Sequence, residues 1–217
     1  MALEQREQKR YLNMSNGAIR EKCEPSHPSA VKRVLDNGKV LHEIIYASLE
    51  GTIDRIYTTT HKEYGLKYNL VVEDEGEKYL LQISENSRYS NDFIMVLPNM
   101  TLGSRFMFKP YQFTTQDERE VQGLTIYCEG EKVTNYYKNR TEKADGTFEV
   151  EYVNGLLPYT GTNGSKDEFK IYAMQSRIFL KNESAQYIEK INDYVITKTA
   201  SLLSNEDEKE EEDYDGI

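Results

Sequence analysis

Between residues 49 and 133, apolar side chains recur at every second position in several short runs. The run from Leu66 to Val72 alternates in this way, and so does the run from Tyr79 to Ile83. A period of two places one set of side chains on a buried face and the other set on a face that meets solvent or a ligand. The pattern therefore predicts five strands: Leu49–Thr60, Leu66–Glu73, Lys78–Ser84, Arg105–Phe113 and Leu124–Val133.

One helical segment interrupts these strands. Tyr89–Pro98 opens on Ser90 or Asn91 as an N-cap, carries apolar residues at helical spacing and ends at a proline. Three strands, a short helix and two strands are the element order of the OB fold, a five-stranded Greek-key barrel that binds single-stranded nucleic acid or sugars. A change of apolar spacing beside Gly51 predicts a bulge in the first strand.

The predicted fold class is therefore mainly β, with an OB-fold core over residues 42–134. Residues 1–41 are polar and are predicted to be an N-terminal extension. Within residues 135–182, Thr147–Val153 and Glu168–Met174 are predicted to form a hairpin that extends the barrel or covers its groove. An apolar stripe that begins after Ser184 predicts a C-terminal helix over residues 183–204.

The last segment, residues 205–217, holds eight acids and one lysine, which is −7 of the total charge of −10. Such a composition cannot bury a core, so the segment is predicted to be a disordered acidic tail. The other 204 residues carry only −3, and this near-neutral body does not by itself demand a basic surface.

No motif in the sequence supports catalysis. The three histidines, His27, His42 and His61, lack the close spacing of metal ligands, and Cys23 and Cys128 stand far apart. A phosphate-binding glycine loop and a nucleophile elbow are both missing. The sequence predicts a protein that is not an enzyme and has no metal or cofactor. Without a long apolar run or a secretory signal, we also expect it to be cytoplasmic and to have no membrane partner.

The outward face of the predicted barrel carries tyrosines interleaved with cations. Unpaired bases stack on aromatic rings with about 1–3 kcal/mol per base, and phosphates pair with cations, so this pattern favours binding of single-stranded nucleic acid. The aromatic candidates are Tyr57, Tyr64, Tyr111, Tyr127, Tyr136 and Tyr137. The cationic candidates are Arg55, Lys62, Lys67, Arg105, Lys109 and Lys138, with Arg140 close by.

The acidic tail ends in an apolar tip, in which Asp213, Tyr214, Asp215 and Ile217 are the candidate partner-binding residues. Such a tip suits a hydrophobic pocket with a basic rim on another protein. A flexible polyanion also competes with nucleic acid for a cationic groove, and bound nucleic acid would release it. The tail is thus predicted either to recruit partners or only to increase solubility.

The barrel order together with this tail resembles the single-stranded-DNA-binding proteins of bacterial viruses, over residues 49–133 and 205–217. The tip is similar in kind to the tail of the bacterial protein but lacks its terminal Pro-Phe. The resemblance implies sequence-independent coating of single-stranded DNA during phage replication or recombination, with replication and recombination proteins bound by the tail, in the host cytoplasm. Two alternatives stay open: a virion or assembly protein that uses its β-barrel as a protein-docking module, and an accessory factor that binds sugar or RNA. Homo-oligomerisation is also left open.

Overall fold

A computed structural model describes residues 9–35, 37–62, 65–101, 103–160 and 165–212, with side chains described as far as residue 197. Ten strands form one sheet: β1 Arg10–Ser15, β2 Ala18–Lys22, β3 Val31–Val34, β4 Val40–Tyr46, β5 Leu49–His61, β6 Gly65–Asp74, β7 Glu77–Ser84, β8 Arg105–Thr114, β9 Glu120–Cys128 and β10 Glu131–Lys132. A separate two-stranded sheet contains β11 Lys138–Glu142 and β12 Phe148–Tyr152. The helices are α1 Arg88–Val96 and α2 Lys166–Glu212, and a 3-10 turn, Leu97–Asn99, follows α1.

The large sheet has the order β10-β9-β8-β5-β6-β7-β1-β2-β4-β3 and is not closed by strand pairing. The long strand β5 belongs to both halves, because Leu49–Thr52 pair with β8 and the residues from Thr52 onward pair with β6. The register shifts between Ile53 and Arg55, close to the bulge predicted beside Gly51. The mainly β class is confirmed, and strands occupy all five predicted positions, although the last one is divided into β9 and β10.

The predicted helix between the third and fourth of these strands is present as α1. Its N-cap is Ser87, whose hydroxyl oxygen accepts a hydrogen bond from the backbone N–H of Ser90 at 3.2 Å. The prediction of Ser90 or Asn91 as the cap is therefore wrong, and Ser90 lies buried inside the helix. Phe93 of α1 packs beside Tyr68 of β6, with ring centroids 5.9 Å apart, so the helix closes one end of the apolar core.

The predicted N-terminal extension contributes to the same sheet. Strand β1 pairs in parallel with β7, and β2 and β4 continue the sheet beyond it. Leu12 and Ile19 bury their side chains in the common core. The backbone N–H of Gly17, at the turn between β1 and β2, donates to the Tyr89 hydroxyl of α1 at 2.9 Å. The boundary predicted at residue 42 therefore does not separate the core from an independent extension.

The prediction of a strand over Glu168–Met174 is wrong, because this segment is the beginning of α2. The Ser165 hydroxyl accepts a hydrogen bond from the Glu168 N–H at 3.2 Å, as an N-cap does. The predicted strand at residues 147–153 does form, as β12, but it pairs with β11. Their hairpin does not extend the large sheet.

The C-terminal helix is present and is longer than predicted, since α2 runs from Lys166 to Glu212 and thus into the predicted tail. It packs on the sheet through Leu180, Ile188 and Ile191. The Asn192 amide accepts from the Ile56 N–H at 3.0 Å and donates to the Ile56 carbonyl at 2.7 Å, which satisfies backbone groups of β5 beyond its pairing with β8. Over the described residues, neither helix combines the length and apolarity needed to cross a bilayer.

Candidate nucleic-acid interface

The structure divides the predicted binding residues among separate surfaces. Arg55, Tyr57 and Lys67 share the outer face of β5 and β6, as the strand register requires. The Arg55 guanidinium lies 5.3 Å from the centre of the Tyr57 ring, a cation–π distance. Lys62 is exposed just after β5, and Tyr64 lies outside the described residues. The predicted binding residues on this face are the smaller of two groups.

The second group lies on the outer face of β8 and β9, where Lys109, Tyr111 and Tyr127 project from alternate positions. Arg105 is on the same face, but its guanidinium forms salt bridges with Glu50 at 2.8 Å and with Asp74 at 2.7 Å. The hydrogen bonds that the Arg105 guanidinium donates to these two carboxylates raise its pKa. The two carboxylates neutralise this cation, so the prediction that Arg105 meets a phosphate is not supported by its surroundings.

Tyr137 is fully buried, so the prediction that it stacks with a base is wrong. Its ring makes edge contacts with Tyr136 at 5.1 Å and with Phe179 of α2 at 5.8 Å. Tyr136 in turn contacts Tyr187 at 6.0 Å and packs against the core. Burial raises the pKa of the Tyr137 phenol. These tyrosines pack the segment that follows β10 against α2, and they do not line an edge of the groove.

A groove lies between β9, α1, α2 and the β11–β12 hairpin. It consists of two adjoining hollows of about 730 Å³ and about 470 Å³, which share Asp92, Tyr111 and Lys138 as lining residues. The cations that line it are Arg88, Lys132, Lys138, Arg140 and Arg177. Asp92 is the one carboxylate among the described lining residues.

None of these five cations forms a salt bridge with the described part of the chain; Arg177 donates only a long hydrogen bond of 3.4 Å to the Asn86 amide. Their charge is therefore free to meet an anion in the groove. With five cations and one carboxylate, the described lining of this groove is positively charged, although the whole chain has a net charge of −10.

Tyr111 reaches the groove because residue 123, opposite it on β9, is a glycine. A Cβ atom at Gly123 would overlap the Tyr111 hydroxyl, and would lie 2.6 Å from a carboxylate oxygen of Asp92. The Tyr111 ring stacks on Phe113, with centroids 6.0 Å apart and planes 24° apart, and is 37% exposed. Tyr111 is thus a half-exposed aromatic platform beside the cations.

Asp92 projects from α1 and accepts a hydrogen bond from the Leu124 N–H at 2.8 Å. Burial raises its pKa, while this hydrogen bond and the charges of Arg88 and Lys132 oppose the rise. The carboxylate therefore offsets part of the positive charge of the groove at the point where its two hollows meet.

Replacement of Asp92 by asparagine tests this role. The pKa of Asp92 is higher in the folded state than in the unfolded state, so the protonated carboxyl is the form that favours folding. This contribution to the free energy of unfolding is complete below the unfolded-state pKa and is lost as the pH rises through the folded-state pKa. An amide still accepts from Leu124, so we expect D92N to unfold at a higher temperature than the native chain at neutral pH, and at the same temperature near pH ~3. Removal of the negative charge should also strengthen oligonucleotide binding about fivefold at low salt. Thermal unfolding at the two pH values and a binding titration measure both effects, and weaker binding by D92N would contradict the assignment.

Several groove residues were not identified from the sequence. Arg88 and Asp92 lie on α1 and Arg177 lies on α2, outside the predicted strands, whereas Lys132 lies in β10, at the end of the predicted strand Leu124–Val133. The sequence does contain a signal for Lys132: Gly130 marks the turn of a hairpin, and in that hairpin Lys132 pairs with Tyr127. Arg177 has none, because it lies on α2 between the predicted strand Glu168–Met174 and the helix predicted over residues 183–204.

Comparison of the chain with protein-family models, with curated proteins and with solved structures finds no match. Among the described residues, no group of three or more histidine, cysteine, aspartate or glutamate side chains is placed to hold a metal ion.

Proposed function

We propose that this protein is a non-catalytic single-stranded-DNA-binding protein that binds without sequence specificity, and that the groove is its binding site. The observation that carries the proposal is the described lining of the groove: five cations that form no salt bridge with the described part of the chain, one carboxylate and the half-exposed ring of Tyr111. Cations along a groove follow a phosphate backbone, and an aromatic ring accepts any unpaired base. Lys109 and Tyr127 on the adjoining β8–β9 face extend the same chemistry.

We also propose that β5, β6, β7, α1, β8 and β9 form an OB-type core. The support is their order, together with a first strand that bends and pairs with both the second and the fourth. The arrangement differs from a closed five-stranded barrel in one respect: β1 pairs in parallel with β7. The sequence predicts a barrel closed by its own five strands in a Greek key. In this proposal the β1–β2 hairpin takes the place of that closure, and the turn of the hairpin contacts β8 near Tyr111.

The test is a titration with oligo-dT, followed by tyrosine fluorescence, beside gel shifts with single-stranded DNA, duplex DNA and RNA. We expect fluorescence to fall on binding, affinity to decrease steeply with salt, and single-stranded DNA to be preferred to duplex. Stronger binding to RNA would reassign the substrate, and no binding to any of the three would overturn the proposal.

The acidic tail is proposed to compete with DNA for the groove and to bind replication or recombination proteins through Asp213, Tyr214, Asp215 and Ile217. Ser176 lines the groove, and Glu212 lies 36 residues further along α2. A continuous helix of that length spans about 54 Å, which favours competition with DNA on a neighbouring molecule over competition within one chain. This role, like the phage setting and the cytoplasmic location, rests on the resemblance stated above.

Removal of residues 205–217 should therefore tighten binding to oligo-dT at low salt, because it removes a charge of −7 that competes with phosphates. The gain should shrink as salt is added, since added ions screen the tail. Titrations of both chains at two protein concentrations measure the effect; a gain that grows with concentration indicates competition between molecules. Equal affinities of the two chains at low salt would exclude competition by the tail.

The second candidate function is a virion or assembly protein that docks other proteins. It is favoured by exposed apolar side chains near the β3 end of the sheet, where Val31, Val34, Val40 and Ile45 are each more than 40% exposed. A chain that binds no nucleic acid but associates through this end of the sheet would support this candidate.

A further inference from the structure

The β11–β12 hairpin, residues 138–152, lies beside the groove, and its base is attached to the rest of the fold. The Val153 N–H donates to the Tyr137 carbonyl at 3.0 Å, and the side chains of Tyr137 and Leu156 are buried. Lys138, Asn139, Arg140 and Val150 of the hairpin line the larger hollow of the groove. The hairpin is therefore held at its base and forms one wall of the groove.

The two faces of the hairpin differ in chemistry. The register puts one row of side chains on the groove face: Lys138, Arg140, Glu142, Phe148, Val150 and Tyr152. On this face the Arg140 guanidinium lies 3.7 Å from the centre of the Phe148 ring, and the Lys138 ammonium lies 5.0 Å from that of Tyr152. The opposite face carries Glu149 and Glu151, which contact Lys143 and Asn139.

The groove face remains open although it is partly apolar. Phe148 is 48% exposed and Val150 is 44% exposed. A two-stranded hairpin is marginally stable alone in water, so apolar side chains left on its surface favour contact with another molecule. The charge on this side of the groove selects a polyanion, and the exposed ring selects one with accessible flat bases.

From this arrangement we propose that the hairpin is a binding arm on which unpaired bases stack, with Phe148 as the main platform and Arg140 as the cation that holds the adjacent phosphate or base. The inference rests on the proposed function and adds to that site a residue that is not among the binding residues predicted from the sequence. In a duplex the bases are already stacked on one another, so the arm would favour single strands. The occupant is single-stranded nucleic acid.

The chain contains no tryptophan, so one introduced tryptophan gives a local signal. We expect Phe148→Trp to bind oligo-dT with nearly native affinity and to lose most of its tryptophan fluorescence on binding. Thr141→Trp, on the opposite face of the hairpin, is the matched control and should change little. Phe148→Ala should lower affinity about tenfold, within the range that one stacked base contributes.

The outcomes separate the two proposals. If the native chain binds no single-stranded nucleic acid, the proposed function fails and the arm fails with it. If the native chain binds, but F148W keeps its fluorescence at saturation and F148A binds as tightly as the native chain, then only the arm is overturned. If the tryptophan at 141 is quenched as strongly as the one at 148, stacking on the groove face is likewise overturned.

Discussion

A chain in which Arg88, Lys132, Lys138 and Arg177 are all replaced by glutamine is expected to bind oligo-dT several hundredfold more weakly than the native chain. These residues line the groove without salt bridges in the described part of the chain. Each phosphate contact on a single strand changes log K by about 0.7 for a tenfold change in salt. Loss of four contacts should therefore reduce the salt slope by about 2.8 and the affinity near 0.1 M salt by a factor of about 600.

The measurement is a set of oligo-dT titrations at several salt concentrations. The matched control replaces four exposed lysines outside the groove, Lys32, Lys39, Lys166 and Lys190, which gives the same net charge. The control should keep nearly the native slope, because distant charges act only through a screened field. If both variants lose the same affinity and slope, the groove is not the binding site and only the net charge of the chain matters.

The five strands predicted between residues 49 and 133 were predictable because their signals are local. Alternation from Leu66 to Val72 and from Tyr79 to Ile83 predicts which side of each strand faces the core, and Tyr68, Leu70 and Ile83 are in the core. Asn69 and Val71, on the other side of β6, are buried as well. The turn between β6 and β7 is marked by Gly76 in the sequence itself. Neighbouring strands joined by tight turns need no information from distant residues.

Strands β1, β2 and β3 are not predicted by the sequence, because few apolar positions mark them and the pairing of β1 is remote. Strand β1 pairs with β7, for example Leu12 with Leu81, and only Leu12 and Ile19 mark the buried face of its hairpin. So few apolar positions do not establish a period. The strand prediction at the start of α2 is wrong for a related reason: Phe169, Ile171 and the exposed residues around them suit a strand as well as a helix. The Ser165–Glu168 spacing is the local signal that marks the helix start.

The binding site was only partly predictable, because strand alternation gives the side on which a residue lies but not its neighbours. It placed Arg105 on an outward face correctly, yet Glu50 and Asp74 from other strands neutralise it. It gave no information on residues after β10, where Tyr137 is buried and Lys138, next to it, lines the groove. A groove assembled from four elements becomes visible only when their packing is known.

Replacement of Gly51 by alanine is expected to destabilise the fold by about 3 kcal/mol, at the upper end of what overpacking costs. Gly51 lies on β5 where this strand turns from β8 to β6, and it pairs with Phe106. A Cβ atom there would overlap the backbone carbonyl oxygen of Glu73 and would lie 2.8 Å from the Val72 side chain. A backbone atom in a paired strand cannot move aside, so the two halves of the sheet would have to separate.

Chemical denaturation of the native and variant chains measures this loss, which for a domain of this size corresponds to a fall in melting temperature of roughly 6–12 °C. Gly76→Ala is the control, because Gly76 has a φ of 82° but no atom within 4 Å of its missing Cβ. That variant incurs only the left-handed backbone cost of about 1 kcal/mol. If Gly51→Ala costs no more than Gly76→Ala, the close approach of β6 does not require a glycine. The bend in β5 would then depend on its register shift alone, and the proposal that β5 is the shared first strand of an OB-type core would lose its main steric support.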